Sequence, residues 1–165
     1  MRLLVDGYNL LFASSVFVPE GMAPTLSNTR DALLDFLAET ITPKLLPLTT
    51  VVFDAAQAPP GLPKEMQHRG MRIVFSPKKS SADEVLEELL ENAKQPKQLL
   101  VISSDHRIQR AARQKGARYL DSEQWLQEQA ANRKSQKRES LEQKPDLPSS
   151  MDAALWIEAF KKKKE

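Results

Sequence analysis

Three aspartates in this 165-residue chain follow short apolar segments or the turn after one. Asp6 ends LLVD, Asp105 ends VISSD, and Asp83 falls in the first turn of a predicted helix. If parallel strands carry them, the three carboxylates meet at the sheet edge where open α/β sheets bind ligands. Such carboxylates repel one another unless a cation lies between them, and their hard oxygen atoms suit Mg²⁺ or Mn²⁺. The pattern therefore predicts a metal site that could activate water against a phosphodiester.

Each aspartate taken alone has an ordinary structural explanation. A strand-end aspartate often forms a turn or caps a helix, and Asp83 is well placed to favour a helix dipole. That explanation is kept for Asp54, which ends VVFD and is expected beside the site rather than in it. Asn9, three residues after Asp6, is expected to orient water or bind phosphate through its amide. The coincidence of three aspartates is what indicates chemistry.

Alternating strands and helices must position these side chains. Apolar, β-branched segments predict five strands, at residues 3–5, 49–54, 71–75, 98–103 and 118–120. Helical patterns lie between most of them, and residues 55–70 are predicted to form a long loop. This alternation predicts an α/β fold with a mainly parallel sheet and helices on both faces.

Helix ends carry their own signals. Ser81 and Glu84 have the spacing of a capping box, and Gly116 stands where a glycine commonly ends a helix. Ser122 is expected to cap the next helix. These signals predict where the helix with Asp83 begins, where the helix after Asp105 ends and where the following helix begins.

The domain organisation follows from where the apolar residues lie. They concentrate before residue 130, so we expect one domain over residues 1–131 and an appendage over residues 132–165. Asn132–Lys144 is highly charged and predicts an exposed helical extension or a flexible linker. A short helix then carries Leu155, Trp156 and Phe160, and the run Lys161–Lys164 is either an RNA-attracting or a solubilising tail.

Composition limits the possible chemistry. The net charge of +2 and the pI of about 8.8 permit nucleic-acid binding without demanding it. Without cysteine there can be no thiolate nucleophile or cysteine-ligated zinc, and two histidines cannot build a histidine-rich metal centre. GxGxxG, GxxxxGK[ST] and GxSxG motifs are missing. No segment resembles a signal peptide or a membrane span, so a cytoplasmic protein is expected.

Basic residues are expected to contact a nucleic-acid backbone. For any one of them, a solvated charged surface is the alternative explanation. The candidate RNA-binding residues are Lys78, Lys79, Arg107, Arg110, His68 and Arg69. Contacts of this type supply affinity without sequence specificity.

Four segments in their order along the chain resemble the YacP-like NYN domain family, which belongs with the PIN-like metal-dependent nucleases. They are VDGYNLL, VVFDA, SSADEVLEELL and VISSDHRIQRAARQKGA, within Arg2–Ala131. The resemblance implies a PIN-like three-layer α/β/α sandwich, Mg²⁺ or Mn²⁺, and endoribonuclease activity. It also implies RNA as the partner, with mRNA on the ribosome as one class of substrate.

Carried over by motif, the resemblance makes Asp6, Asp83 and Asp105 the metal-site acids and Asn9 a polar partner. PIN-like sites often include a further acid from the helix after the first strand; the candidates here are Asp31, Asp35 and Glu39. The main alternative is a non-catalytic RNA- or ribosome-binding module with the same fold. A small-molecule phosphohydrolase is disfavoured because no phosphate-binding loop is present.

Overall fold

A computed structural model describes residues 1–14, 21, 25–55, 61 and 63–142, and the elements below belong to that part of the chain. The strands are β1 (Arg2–Asp6), β2 (Thr49–Phe53), β3 (Glu65–His68), β4 (Met71–Phe75), β5 (Leu99–Ile102) and β6 (Arg118–Leu120). The helices are α1 (Gly7–Ala13), α2 (Leu26–Thr40), α3 (Ala82–Glu91), α4 (His106–Lys115) and α5 (Ser122–Glu142).

The strands form one sheet in the order β3-β4-β2-β1-β5-β6. Every neighbouring pair is parallel except β3 and β4, which confirms the predicted mainly parallel sheet. Strand β1 lies between β2 and β5, and its residues Leu3, Leu4 and Val5 are buried, as an apolar central strand requires. The chain leaves β1 toward β2 and returns on the other side as β5. A crevice therefore opens at the carboxyl ends of β1 and β5.

Helices cover both faces of the sheet. One apolar core contains side chains from α1, α2 and the start of α5: Leu10, Leu33, Leu37 and Trp125. The core on the other face contains side chains from α3 and α4: Leu86, Leu90, Ile108 and Ala112. This arrangement confirms the expected three-layer α/β/α sandwich.

Two predicted helix ends are confirmed. The Ser81 side chain accepts the backbone N–H of Glu84, and the Glu84 side chain reaches back to the backbone of Ser81, completing the capping box of α3. Gly116 ends α4 in the left-handed conformation with φ of 75°. These caps set the start of α3 near Asp83 and the exit from α4 toward β6.

The predicted loop over residues 55–70 is wrong in its second half, where strand β3 forms. β3 pairs antiparallel with β4, and Arg72 donates two hydrogen bonds to the Glu65 carboxylate, at 2.6 and 3.0 Å. The sequence EMQH contains no β-branched residue, so its own propensity does not indicate a strand. Pairing with β4 stabilises it instead.

Contacts within the chain divide it into Met1–Gln129 and Ala130–Glu165. In the second unit the structure describes residues 130–142, which are helical and exposed. The predicted terminal helix with Leu155, Trp156 and Phe160, and the lysine run after it, lie outside the described residues. A domain boundary at residue 131 stays a prediction. Every helix in the described ranges is too short or too polar to cross a lipid bilayer.

Candidate active site

Three separate βα units bring Asp6, Asp83 and Asp105 to the carboxyl edge of the sheet. Asp6 is the last residue of β1, Asp105 follows β5 and caps α4, and Asp83 lies in the first turn of α3. The negative charges of Asp83 and Asp105 both act on Asp6. The three carboxylates predicted from the sequence are therefore close enough for their charges to interact.

Asp6 is the most buried of these carboxylates, with 6% of its surface exposed. Burial, together with the negative charges of Asp83 and Asp105, raises the pKa of Asp6 from 3.8 to about 6. The Ser103 hydroxyl opposes this shift by donating a hydrogen bond of 2.9 Å to the Asp6 Oδ2. Asp6 is therefore a charged group held in an unfavourable place, which is typical of functional carboxylates.

Ser103 connects Asp6 to Asp105. Its hydroxyl, which donates to Asp6, also accepts the backbone N–H of Asp105 at 3.1 Å. The Asp105 carboxylate accepts the backbone N–H of Arg107 at 2.8 Å and so caps α4. Asp105 therefore serves both as a helix cap and as a member of the acidic cluster.

The pKa of Asp83 is raised for similar reasons. Partial burial and the negative charge of Asp105 raise its pKa, while the positive charge of Arg107 opposes that shift. Glu87, one helical turn further along α3, and Asp54, after β2, also raise the pKa of Asp83. Asp54 thus lies near Asp83, and Glu87 is a further acid that the sequence analysis did not consider.

Asn9 belongs to a polar network behind the carboxylates. Its side-chain oxygen accepts the backbone N–H of Ser104 at 2.9 Å and the hydroxyl of Ser122 at 2.7 Å. The backbone N–H of Ser122 in turn donates to the Ser104 hydroxyl at 3.1 Å. Asn9 thereby joins α1 to the loop after β5 and to the start of α5.

Ser122 does not cap α5, and that prediction is wrong. Asp121 does so instead, because its carboxylate accepts the backbone N–H of Glu123 at 2.9 Å. Ser122 is fully buried and turns toward Asn9. Both Asp and Ser favour N-caps, so the sequence Asp121–Ser122 offers no signal that separates the two roles.

The predicted basic residues fall into two groups. Lys78 and Lys79 precede α3, and Arg107 and Arg110 lie on α4, so these four lie on the elements that follow the carboxyl ends of β4 and β5. The Arg107 guanidinium donates two hydrogen bonds, at 2.7 and 2.9 Å, to the Glu87 carboxylate. Arg107 is therefore held beside Asp83 by an acid.

His68 and Arg69 form the other group, at the turn between β3 and β4. That turn precedes β4 and lies at the amino edge of the sheet, opposite the carboxylates. There His68 Nε2 is 2.8 Å from Asp35 Oδ1, and Arg69 is 4.0 Å from carboxylate oxygens of Asp35 and Glu39. Two of the three α2 candidates for a further site acid, Asp35 and Glu39, thus pair with this turn, away from Asp6.

The donor chemistry at the carboxyl edge fits a hard divalent cation. The negative charges of Asp83 and Asp105 act on the buried Asp6, and a cation near these oxygen atoms would favour the ionised form of Asp6. Within the described ranges, however, no three acidic or imidazole side chains form a ready-made metal cluster. The residues present suit a cation, while a finished coordination shell is not present in this part of the chain.

Solved structures share this architecture. Rae1 (YacP) from Bacillus subtilis has a TM-score of 0.64 and 26% identity, over 99% of this chain and 92% of its own. A tryptophan-to-leucine mutant of Rae1 gives a TM-score of 0.65 at 26% identity, over 92% of this chain and 89% of its own. The sheet order, the helical layers and this similarity define a PIN-like α/β/α domain.

The sequence profile of the YacP-like NYN domain matches residues 3–164. The chain therefore belongs to the YacP-like NYN family, a PIN-like ribonuclease family, which confirms the resemblance found in its motifs. No curated protein is similar enough in sequence to count as a relative of this chain.

Proposed function

We propose that this protein is a metal-dependent endoribonuclease that hydrolyses phosphodiester bonds of RNA in the cytoplasm. The observation that supports this most is Asp6, a buried carboxylate whose pKa is raised to about 6 beside Asp83 and Asp105. Such a cluster is costly for the protein alone and becomes favourable when a divalent cation neutralises it. Membership of a ribonuclease family supports RNA as the substrate.

In this proposal Asp6, Asp83 and Asp105 hold Mg²⁺ or Mn²⁺. Their donors are all oxygen, and the chain has no cysteine that would favour a softer metal. When bound, the ion supplies Lewis-acid chemistry that activates water and stabilises charge on phosphate oxygens. The Ser103 hydroxyl keeps the Asp6 carboxylate in one orientation, and Asn9 contributes a polar group beside it.

RNA would approach over the basic residues of the same edge. Lys78, Lys79, Arg107 and Arg110 would contact phosphates, giving affinity that falls with salt and carries no base specificity. Arg107 must exchange its Glu87 partner for a phosphate to do so. That mRNA engaged with the ribosome is among the substrates is the finer part of the proposal, and it rests on the family resemblance.

A second candidate is a non-catalytic RNA- or ribosome-binding module. One observation favours it: no ready-made metal cluster occurs among the residues that the structure describes. This module would bind RNA through the same basic residues and would show no metal-dependent turnover.

Incubation with three labelled substrates separates these functions. Structured RNA, short RNA oligonucleotides and a phosphomonoester are each mixed with the protein and either Mn²⁺ or EDTA. We expect internal cleavage of RNA with Mn²⁺ and none with EDTA. RNA binding without cleavage would favour the second candidate, and turnover of the phosphomonoester alone would contradict both. Co-sedimentation with ribosomes at graded salt then tests the finer proposal.

A further inference from the structure

The side-chain amide of Asn9 can have only one orientation in this network. Its oxygen faces the backbone N–H of Ser104, a group that donates and never accepts. The Ser122 hydroxyl adds a second hydrogen bond to the same oxygen, at 2.7 Å. The amide nitrogen of Asn9 must therefore point away from both Ser104 and Ser122.

The hydrogen bonds of the Asn9 side chain to the described residues all involve its oxygen. No described residue accepts a hydrogen bond from Asn9 Nδ2. Asn9 is half-buried, three residues after Asp6 and beside the loop that carries Asp105.

The Ser122 side chain contacts Asn9 and does not cap its own helix. Asp121 caps α5, so the Ser122 hydroxyl is free of that task. The residue is completely buried, and its backbone N–H is fixed by the Ser104 hydroxyl at 3.1 Å. Among the residues that the structure describes, the Ser122 hydroxyl donates to Asn9 alone, and this contact fixes its orientation.

We propose that Ser122 is a positioning residue that holds the Asn9 amide with its N–H groups directed at a phosphate oxygen of the substrate. This inference rests on the proposed function and adds to it a residue from α5, outside the motifs that carry the acids. A neutral amide donor binds a phosphate oxygen without competing with a cation for the carboxylates. The donor works only if its orientation is fixed before the substrate arrives.

A coupling experiment tests the role of Ser122. We expect Ser122→Ala to lower kcat for RNA cleavage by roughly 5- to 10-fold, the equivalent of one hydrogen bond, while KM changes little. Ser122→Thr, which retains the hydroxyl, should restore most of the rate. In an Asn9→Ala background, Ser122→Ala should have no further effect, because the residue acts through Asn9. Effects that add would overturn the proposal, and so would a Ser122→Thr protein that is as stable as wild type yet cleaves no faster than Ser122→Ala.

The matched control is Ser140→Ala on the same helix, where the exposed hydroxyl donates to the Lys137 carbonyl. This variant should cleave RNA at the wild-type rate. If Ser140→Ala and Ser122→Ala reduce kcat equally, the loss reflects α5 in general and the assigned role is wrong.

NMR separates this inference from the proposed function. The side-chain amide signals of Asn9, identified by their loss in Asn9→Ala, are followed in EDTA without turnover. Ser122→Ala should shift or broaden these signals while leaving the other asparagine side chains unchanged. If the wild type cleaves no RNA, the proposed function fails and this readout still decides the orientation. Unchanged Asn9 signals in Ser122→Ala would refute the inference.

Discussion

Asp6→Asn is expected to make the metal-free protein more stable at neutral pH, although it removes a proposed catalytic group. The pKa of Asp6 is raised from 3.8 to about 6 because the carboxylate is buried beside Asp83 and Asp105. That difference corresponds to roughly 3 kcal/mol of unfolding free energy lost when Asp6 is ionised in the folded state. Asparagine carries no charge and so avoids this cost.

The sign of the effect defines a pH window. The folded pKa lies above the unfolded value, so ionisation destabilises the native state. The cost is absent below about pH 4, grows between pH 4 and 6, and is complete above pH 6. The asparagine oxygen can still accept the Ser103 hydroxyl, but its new N–H groups cost part of the gain, leaving about 1–2 kcal/mol at pH 8.

Urea unfolding in EDTA measures the difference in unfolding free energy between Asp6→Asn and wild type. Far-UV circular dichroism and the fluorescence of buried Trp125 should both report the transition at pH 4 and pH 8. The variant should unfold at higher urea than wild type at pH 8 and at the same or slightly lower urea at pH 4, where only the cost of the new N–H groups remains. Asp31→Asn, at an exposed position on α2, is the control and should differ little at either pH. A variant less stable than wild type at pH 8, or a gain independent of pH, would refute the assigned environment of Asp6.

Two further substitutions test the elements that hold the acids. In Gly7→Ala, the added Cβ would lie 2.4 Å from a ring carbon of fully buried Phe53, so we expect a loss of about 1–3 kcal/mol in unfolding free energy. An unchanged melting temperature would mean that the ring moves freely. In Ser81→Ala, α3 loses its N-cap, and we expect the free energy of unfolding to fall by about 1 kcal/mol. Ser81→Asp keeps a side-chain acceptor at the cap and should retain most of that stability. Equal melting temperatures for the Ala and Asp variants would contradict the cap.

Local patterns were enough to predict much of this fold. The apolar segments before Asp6 and at residues 98–103 predict buried strands, because a segment with no polar face must be covered on both sides. The capping box at Ser81 places Asp83 in the first turn of α3, and Gly116 ends α4 as expected. From such signals the parallel sheet follows, and with it the shared edge of the three acids.

Other features depend on contacts that no local pattern encodes. Strand β3 exists because β4 pairs with it, and the Ser122 hydroxyl meets an asparagine 113 residues earlier in the chain. The placement of His68 beside Asp35 depends on the same hairpin and could not be predicted once β3 was missed. Sequence order likewise gives no measure of burial, and burial is the main cause of the raised pKa of Asp6.

RNA cleavage by the Asp83→Asn variant most directly tests the central claim that the three aspartates form the active site of a metal-dependent ribonuclease. Labelled RNA is incubated with Mn²⁺ and either wild type, Asp83→Asn, Asp6→Asn or the control Glu88→Gln, at an exposed position on α3, and RNA binding is measured separately in EDTA. We predict that wild type and Glu88→Gln cleave, that the other two variants fold and bind RNA but do not cleave, and that EDTA stops all cleavage. Wild-type rates from a folded Asp83→Asn or Asp6→Asn protein would contradict the assigned site.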